Sequence, residues 1–168
     1  MASSPSLGNL GFLTILHDDT GYLGGYLVTN QWGRPLEFRL STPVQPNRVH
    51  HILYGDTLEP YICGDLIGKT LLEKTSSQAN VIITDHRRAL DLRLRVDIPI
   101  VWLGHATKQA DDPLTFKNFR CHPRFPEDAK ALRAVMNQTG GVVDLAEPFT
   151  RVREAIAEAR KMGVAGRG

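Results

Sequence analysis

At 168 residues, with 42% hydrophobic and 23% charged side chains, the chain can bury a core of its own and is too apolar for disorder. Its net charge of +2 is too small to indicate nucleic-acid binding, although residues 1–84 carry five basic and seven acidic side chains and residues 85–168 carry fifteen and eleven. Two cysteines exclude a disulfide framework, and neither a signal-peptide pattern nor a run of roughly 20 apolar residues is present, so a soluble, cytoplasmic protein is expected.

Residues 1–9 are small and polar and should be loose, leaving one domain over 10–162 and a fraying tail at 163–168. Residues 11–16 read as a first strand. Tyr22 to Val28 form a second apolar, aromatic and β-branched run, and Leu36, Phe38 and Leu40 alternate with Glu37 and Arg39 in a third. The Asn, Gly and Pro between the second and third runs accept turn dihedrals, so the three strands make an antiparallel meander. Gly24-Gly25 within it suggests a bulge, or a close approach of another backbone.

Past Thr42 the period becomes helical. Pro46 suits the first helical position of a segment over 47–54, with Gly55 as its cap, and Pro60 opens a second helix over 61–74. Gly64 and Gly68 weaken that helix by about 1 kcal/mol each, so something should pack closely there. Residues 81–84 and 98–103 are apolar runs of strand length, joined by about a dozen residues in which Asp85 caps a short helix. They make a parallel βαβ unit. Residues 104–125 show no period, and a loop of that length is often functional. Two helices close the chain, over 126–138 and 147–161. The second buries Phe149, Val152 and Ile156 and leaves Arg151, Arg153 and Arg160 wet. The expected fold is therefore a single α/β domain: a mixed sheet with an N-terminal meander, a central βαβ unit and flanking helices.

Chemical motifs are sparse. The stretch from Gly64 to Thr70 has the letters of a phosphate-binding loop, but its first glycine is one residue too close and the context is helical. Asp56 to Tyr61 and Asp144 to Phe149 share the pattern D-x-x-E-P-aromatic, which both segments owe to helix starts. Cys63, His105, Cys121 and His122 lack the paired spacing of zinc ligands, so they read as ordinary buried Cys and surface His, and neither metal nor cofactor is implied. The polar cluster best placed for chemistry follows the βαβ strands. There Asp85, His86 and His105 could pair a base with its orienting partner, and Arg87 and Arg88 could hold an anion.

The order of three meander strands, helices and a further strand resembles that of restriction-endonuclease-like folds. The resemblance implies an acidic residue at Asp18 or Asp19 and places Glu37-Phe38-Arg39 where that family carries E-x-K. Arg39 keeps the charge of the family's Lys but does not readily lose its proton.

The primary expectation is a small non-catalytic interaction or regulatory subunit of a larger bacterial-type assembly, contacting a protein partner or a second copy through Trp32 and Arg34 in the hairpin turn. The alternative is a hydrolase acting on phosphate-containing substrates or nucleic acid. Its site would be Asp85, His86 and His105, or a degenerate nuclease-like set of Asp19, Glu37 and Arg39.

Overall fold

The computed structural model describes residues 8–104, 119–140 and 144–163. Six strands form one sheet: β1 (Leu10–Asp18), β2 (Gly21–Thr29), β3 (Pro35–Leu40), β4 (Val81–Thr84), β5 (Ile100–Leu103) and β6 (Phe119–Cys121), in the order β3-β2-β1-β4-β5-β6. The meander is antiparallel throughout, β4 runs parallel to both β1 and β5, and β6 closes the far edge antiparallel to β5. The mixed α/β sheet expected from the period changes is thus present, with the βαβ pair side by side. Strand β6 lies inside the stretch read as a loop; residues 105–118 lie outside the described residues.

Helices cover both faces. On one, Leu13, Ile15, Tyr26, Val28 and Ile82 meet Ile62, Cys63, Ile67 and Leu71 of the helical run between β3 and β4, and Leu92 of the 3-10 segment Arg87–Leu94. On the other, Phe12, Leu27, Ile83 and Val101 meet Leu132 and Met136 of α4 (Asp128–Gln138) and Phe149, Val152 and Ile156 of α5 (Glu147–Lys161). Strands covered twice have no wet face, which is why β2 is buried along its whole length and its sequence does not alternate. Phe12 and Phe149 pack edge to face, with centroids 5.5 Å apart.

Gly24-Gly25 is not a bulge, because β1 and β2 stay in register through both residues; the irregularity falls at Val28/Thr29 against β3. The two glycines make room for helices instead. A side chain at Gly24 would strike Ile67 on one face, and one at Gly25 would come within 2.8 Å of Val152 on the other.

The first helix, α1 (Arg48–Tyr54), starts one residue later than expected. Asn47, not Pro46, does the work at its start: the Asn47 side chain accepts from the His50 N–H (2.9 Å), and His50 Nδ1 accepts from the Asn47 N–H (3.1 Å). Gly55 takes a positive φ of 55° and closes it. The run then continues as a short turn, α2 (Leu58–Pro60), a π-helical segment Tyr61–Gly68 and α3 (Lys69–Lys74). Gly64 and Gly68 in the π segment let Leu92 come close, since a Cβ on Gly64 would lie 2.9 Å from the Leu92 nitrogen.

Charge ties the second face together. Asp128 is buried, accepts from Arg93 Nε (2.9 Å) and from the Ile100 N–H (3.1 Å), and so joins α4 to the 3-10 segment and to β5. The Arg93 guanidinium also lies 3.8 Å from the Phe125 ring centre. No helix among the described residues is long and apolar enough to cross a membrane.

Candidate functional site

Strands β1 and β4 are parallel neighbours whose chains leave in opposite directions, β1 turning back to β2 and β4 going on to β5. In open α/β sheets such a divergence leaves a crevice beyond the carboxyl ends of the strands. In register, Leu13 lies beside Thr84, so Thr14 and Asp85 come next at this point.

Asp85 does not cap the segment that follows it. His86 holds the cap position, without a side-chain cap bond, and the Asp85 carboxylate instead pairs with Arg153 of α5. The pair is unequal: the Asp85 side chain is 18% exposed and that of Arg153 is 47%. Burial raises the Asp85 pKa, and Arg153 opposes the rise without cancelling it. The Thr14 hydroxyl is enclosed next to Asp85 and near enough to favour its ionised form, yet it makes no hydrogen bond of good geometry.

His86 is bound in the other direction. Its N–H donates to Thr84 Oγ1 (3.2 Å), its Nε2 lies 3.5 Å from Glu59 Oε1, and its Nδ1 is enclosed without a hydrogen-bond partner. Burial lowers its pKa, with Glu59 and Asp85 pulling the other way. The two side chains are thus drawn to opposite faces of the sheet, Asp85 toward α5 and His86 toward α2. In this chain each is already engaged by a partner from elsewhere in the fold.

The remaining candidates separate. Arg88 lies 4.0 Å from Glu59 Oε2, so its charge faces a carboxylate, while Arg87 is exposed. His105 lies outside the described residues. The nuclease-like set does not assemble. Glu37 stands level with Val28 and so with Gly11, about 24 Å of extended strand from Asp18. Asp19 lies beyond that, in the β1–β2 turn. Nor is Glu37 on a wet face. It accepts from the N–H groups of Ser76 (3.0 Å) and Ser77 (2.8 Å) and from Arg39 Nε (2.8 Å), which hold its pKa down at about 2. Glu37 and Arg39 are a clasp between β3 and the end of α3.

Among the described residues no three His, Cys, Asp or Glu side chains converge to hold a metal ion. Cys63 is buried, which pushes its thiol up to about 12. His122 is buried and not on the surface. Its Nδ1 accepts the Arg124 N–H at 3.1 Å, and its Nε2 lies 3.6 Å from Asp91.

Trp32 and Arg34 stand in the β2–β3 turn. Asn30 Oδ1 accepts the N–H groups of Trp32 (2.9 Å) and Arg34 (3.0 Å), Gly33 takes a φ of 86°, and the Gly33 carbonyl accepts from Arg151 of α5 (2.8 Å). Above this braced backbone the Trp32 side chain is 61% exposed, so it does not fold back over its own hairpin.

Sequence reasoning missed Thr14, Glu59 and Arg153. A lone hydroxyl in the apolar run from Leu10 to Leu16 was a usable signal for Thr14. Nothing local marks Glu59 or Arg153, because their partners are 27 and 68 residues away.

No protein-family model matches the chain, and no curated protein matches it. Among solved structures it overlaps with a substituted form of Ciona intestinalis endonuclease V in complex with a 23-mer DNA containing an inosine followed by a ribo-adenosine. That overlap has a TM-score of 0.40 and 8% identity, and it covers 83% of this chain and 61% of that one. A second structure of Ciona intestinalis endonuclease V, with a 24-mer DNA, gives a TM-score of 0.40 and 11% identity over 76% of this chain and 56% of that one. The chain thus spans about six tenths of the proteins it overlays, and at these scores the likeness gives none of its residues a role.

Proposed function

We propose that the protein is a non-catalytic interaction subunit that presents Trp32 to a protein partner. The observation that carries this reading is the contrast within one turn, where a pinned backbone supports an exposed indole. Tryptophan is enriched at binding hot spots, and a rigid support lowers the entropy lost on binding. Arg34 beside it can reach a carboxylate on the partner. Trp32→Ala should change stability by no more than about 0.5 kcal/mol, as expected for an exposed side chain, and should abolish co-purification of the partner. Loss of stability with binding retained would overturn the reading.

A second reading is a hydrolase acting on phosphate-containing substrates at the β1–β4 crevice. The observation favouring it is that two enclosed polar atoms without hydrogen-bond partners among the described residues flank Asp85: His86 Nδ1 follows it at the end of β4, and Thr14 Oγ1 stands in mid-β1, one residue past the Leu13–Thr84 pair. Turnover of a model phosphodiester or an oligonucleotide that disappears in Asp85→Asn would favour this reading over the first. Equal turnover in the variant would remove it.

A further inference from the structure

The sheet ends in β6, three residues long, on one side and in β3, six residues long, on the other. A three-residue edge offers another chain little to pair with, so β3 is the edge that matters. The Ser41 N–H donates to the Gly24 carbonyl (2.9 Å), in the register that sets Arg39 level with Tyr26 and Glu37 level with Val28. Alternate residues of a strand turn to the same neighbour, so Glu37 and Arg39 bond to β2 as Ser41 does. The N–H and C=O groups of Leu36, Phe38 and Leu40 therefore point away from the sheet. No hydrogen bond among the described residues engages them. Pro35 and the irregularity against β2 at Val28/Thr29 limit this open edge to residues 36–40.

The edge sequence, Leu36-Glu37-Phe38-Arg39-Leu40, is complementary to itself when reversed. Two such strands related by a two-fold axis run antiparallel, and an axis at Phe38 pairs its outward groups with those of its own copy. Leu36 then stands opposite Leu40, and Glu37 opposite Arg39, with both pairs made twice. One face of the joined strands is an unbroken apolar row, continuous with the core to which Phe38 and Leu40 already belong. The other face sets opposite charges against each other. Moving the axis by one residue would instead set Glu37 or Arg39 against its own copy, which is unfavourable. We infer that the protein forms a homodimer by antiparallel pairing of β3 with its copy about Phe38, joining two six-stranded sheets into one. Pairing covers Leu36, 48% exposed in the single chain. Arg39 bonds its own Glu37 through Nε (2.8 Å) and stays 47% exposed, which leaves it open to the carboxylate opposite. The inference rests on the edge of β3 and not on Trp32.

Sedimentation equilibrium of the full chain between about 1 and 100 µM tests it, with amide hydrogen exchange followed by NMR at both ends of that range. The wild type should be dimeric at the upper end. Exchange at Leu36, Phe38 and Leu40 should slow there, and exchange at Glu37 and Arg39, bonded to β2 in either state, should change less. Leu36→Lys places a charge against the opposite Leu40 and should be monomeric throughout, with unchanged circular dichroism because Leu36 is half exposed. Arg39→Glu opposes like charges at two places and should weaken association about tenfold or more. A dimer whose three outward amides exchange alike at both concentrations, a dimeric Leu36→Lys, or an Arg39→Glu as tight as the wild type would overturn the inference. A monomeric wild type would overturn it too, and would leave the Trp32 reading standing.

Discussion

Helices α5 and α1 begin from the same pattern and end in opposite situations. Each carries apolar residues three and four apart: Phe149, Val152 and Ile156 in one, Val49, Ile52 and Leu53 in the other. The first set is at most 2% exposed and the second more than half exposed. Length separates them, since 15 residues run about 22 Å along the sheet and seven run about 10 Å. So does charge. Each of the three arginines of α5 expected to be wet has a fixed partner: Arg151 the Gly33 carbonyl, Arg153 the Asp85 carboxylate, Arg160 Asp18. The same apolar stripe ends up buried or exposed depending on whether the sheet has a face left to cover. In this chain α5 takes that face and α1 does not.

The widest gap between the two helices should appear on truncation. Phe149→Ala removes a ring buried against Phe12 and should cost about 3–5 kcal/mol, whereas Ile52→Ala should stay within about 0.5 kcal/mol. Urea denaturation of both variants checks this. Similar losses would mean that α1 is packed, or that α5 is a detachable arm.

How much of this was legible depended on the range of the interaction. The meander, the βαβ pair and the 147–161 bounds of α5 follow from local period and turn chemistry, and they stand in the structure as expected. Strand β6 has three residues and no period, so only its pairing with β5 defines it. Gly24-Gly25 looks the same in sequence whether it bulges or admits Ile67 and Val152. At the candidate site, Asp85 and His86 were visible as polar residues after an apolar strand. Their actual partners, Arg153 and Glu59, are chosen by the packing of helices on opposite faces, which no window of sequence contains.

The next effect in size belongs to Arg153. Arg153→Ala leaves a largely buried carboxylate without its counter-ion and should cost about 1–3 kcal/mol near neutral pH, toward the lower end because Arg153 itself is half exposed. The pH dependence gives the sign. Asp85 has a native pKa above the ordinary 3.8, so the native state keeps its proton longer than the unfolded chain does. Stability falls as pH rises from 3.8 through the native pKa, and below 3.8 the penalty is absent. Removing Arg153 raises the native pKa further. The gap between variant and wild type should therefore open as pH climbs from about 4 toward 7 and close in acid. A gap of constant size would show that Arg153 supports α5 by packing and not through Asp85.

The smallest effect lies at the far end of α5, where Arg160 reaches Asp18 (2.6 Å) and the Asp18 carboxylate also accepts from the Thr20 hydroxyl (2.6 Å) and the Thr20 N–H (2.9 Å). These contacts hold Asp18 well below its ordinary range, the Thr20 hydroxyl contributing most and Arg160 next. A carboxyl whose pKa is depressed on folding adds stability that is complete above 3.8 and is lost as pH falls through the native pKa. Because the group is exposed, water and salt screen the Arg160 contribution, so Arg160→Gln should shift the urea midpoint only slightly at pH 7 and not at all in strong acid. The sharper measurement is a carboxyl titration followed by NMR. Thr20→Val should move the Asp18 midpoint upward further than Arg160→Gln does, because the Thr20 hydroxyl contributes more to holding the carboxylate ionised than the Arg160 hydrogen bond does. The reverse order would mean that the β1–β2 turn is held more by Arg160 of α5 than by its own Thr20.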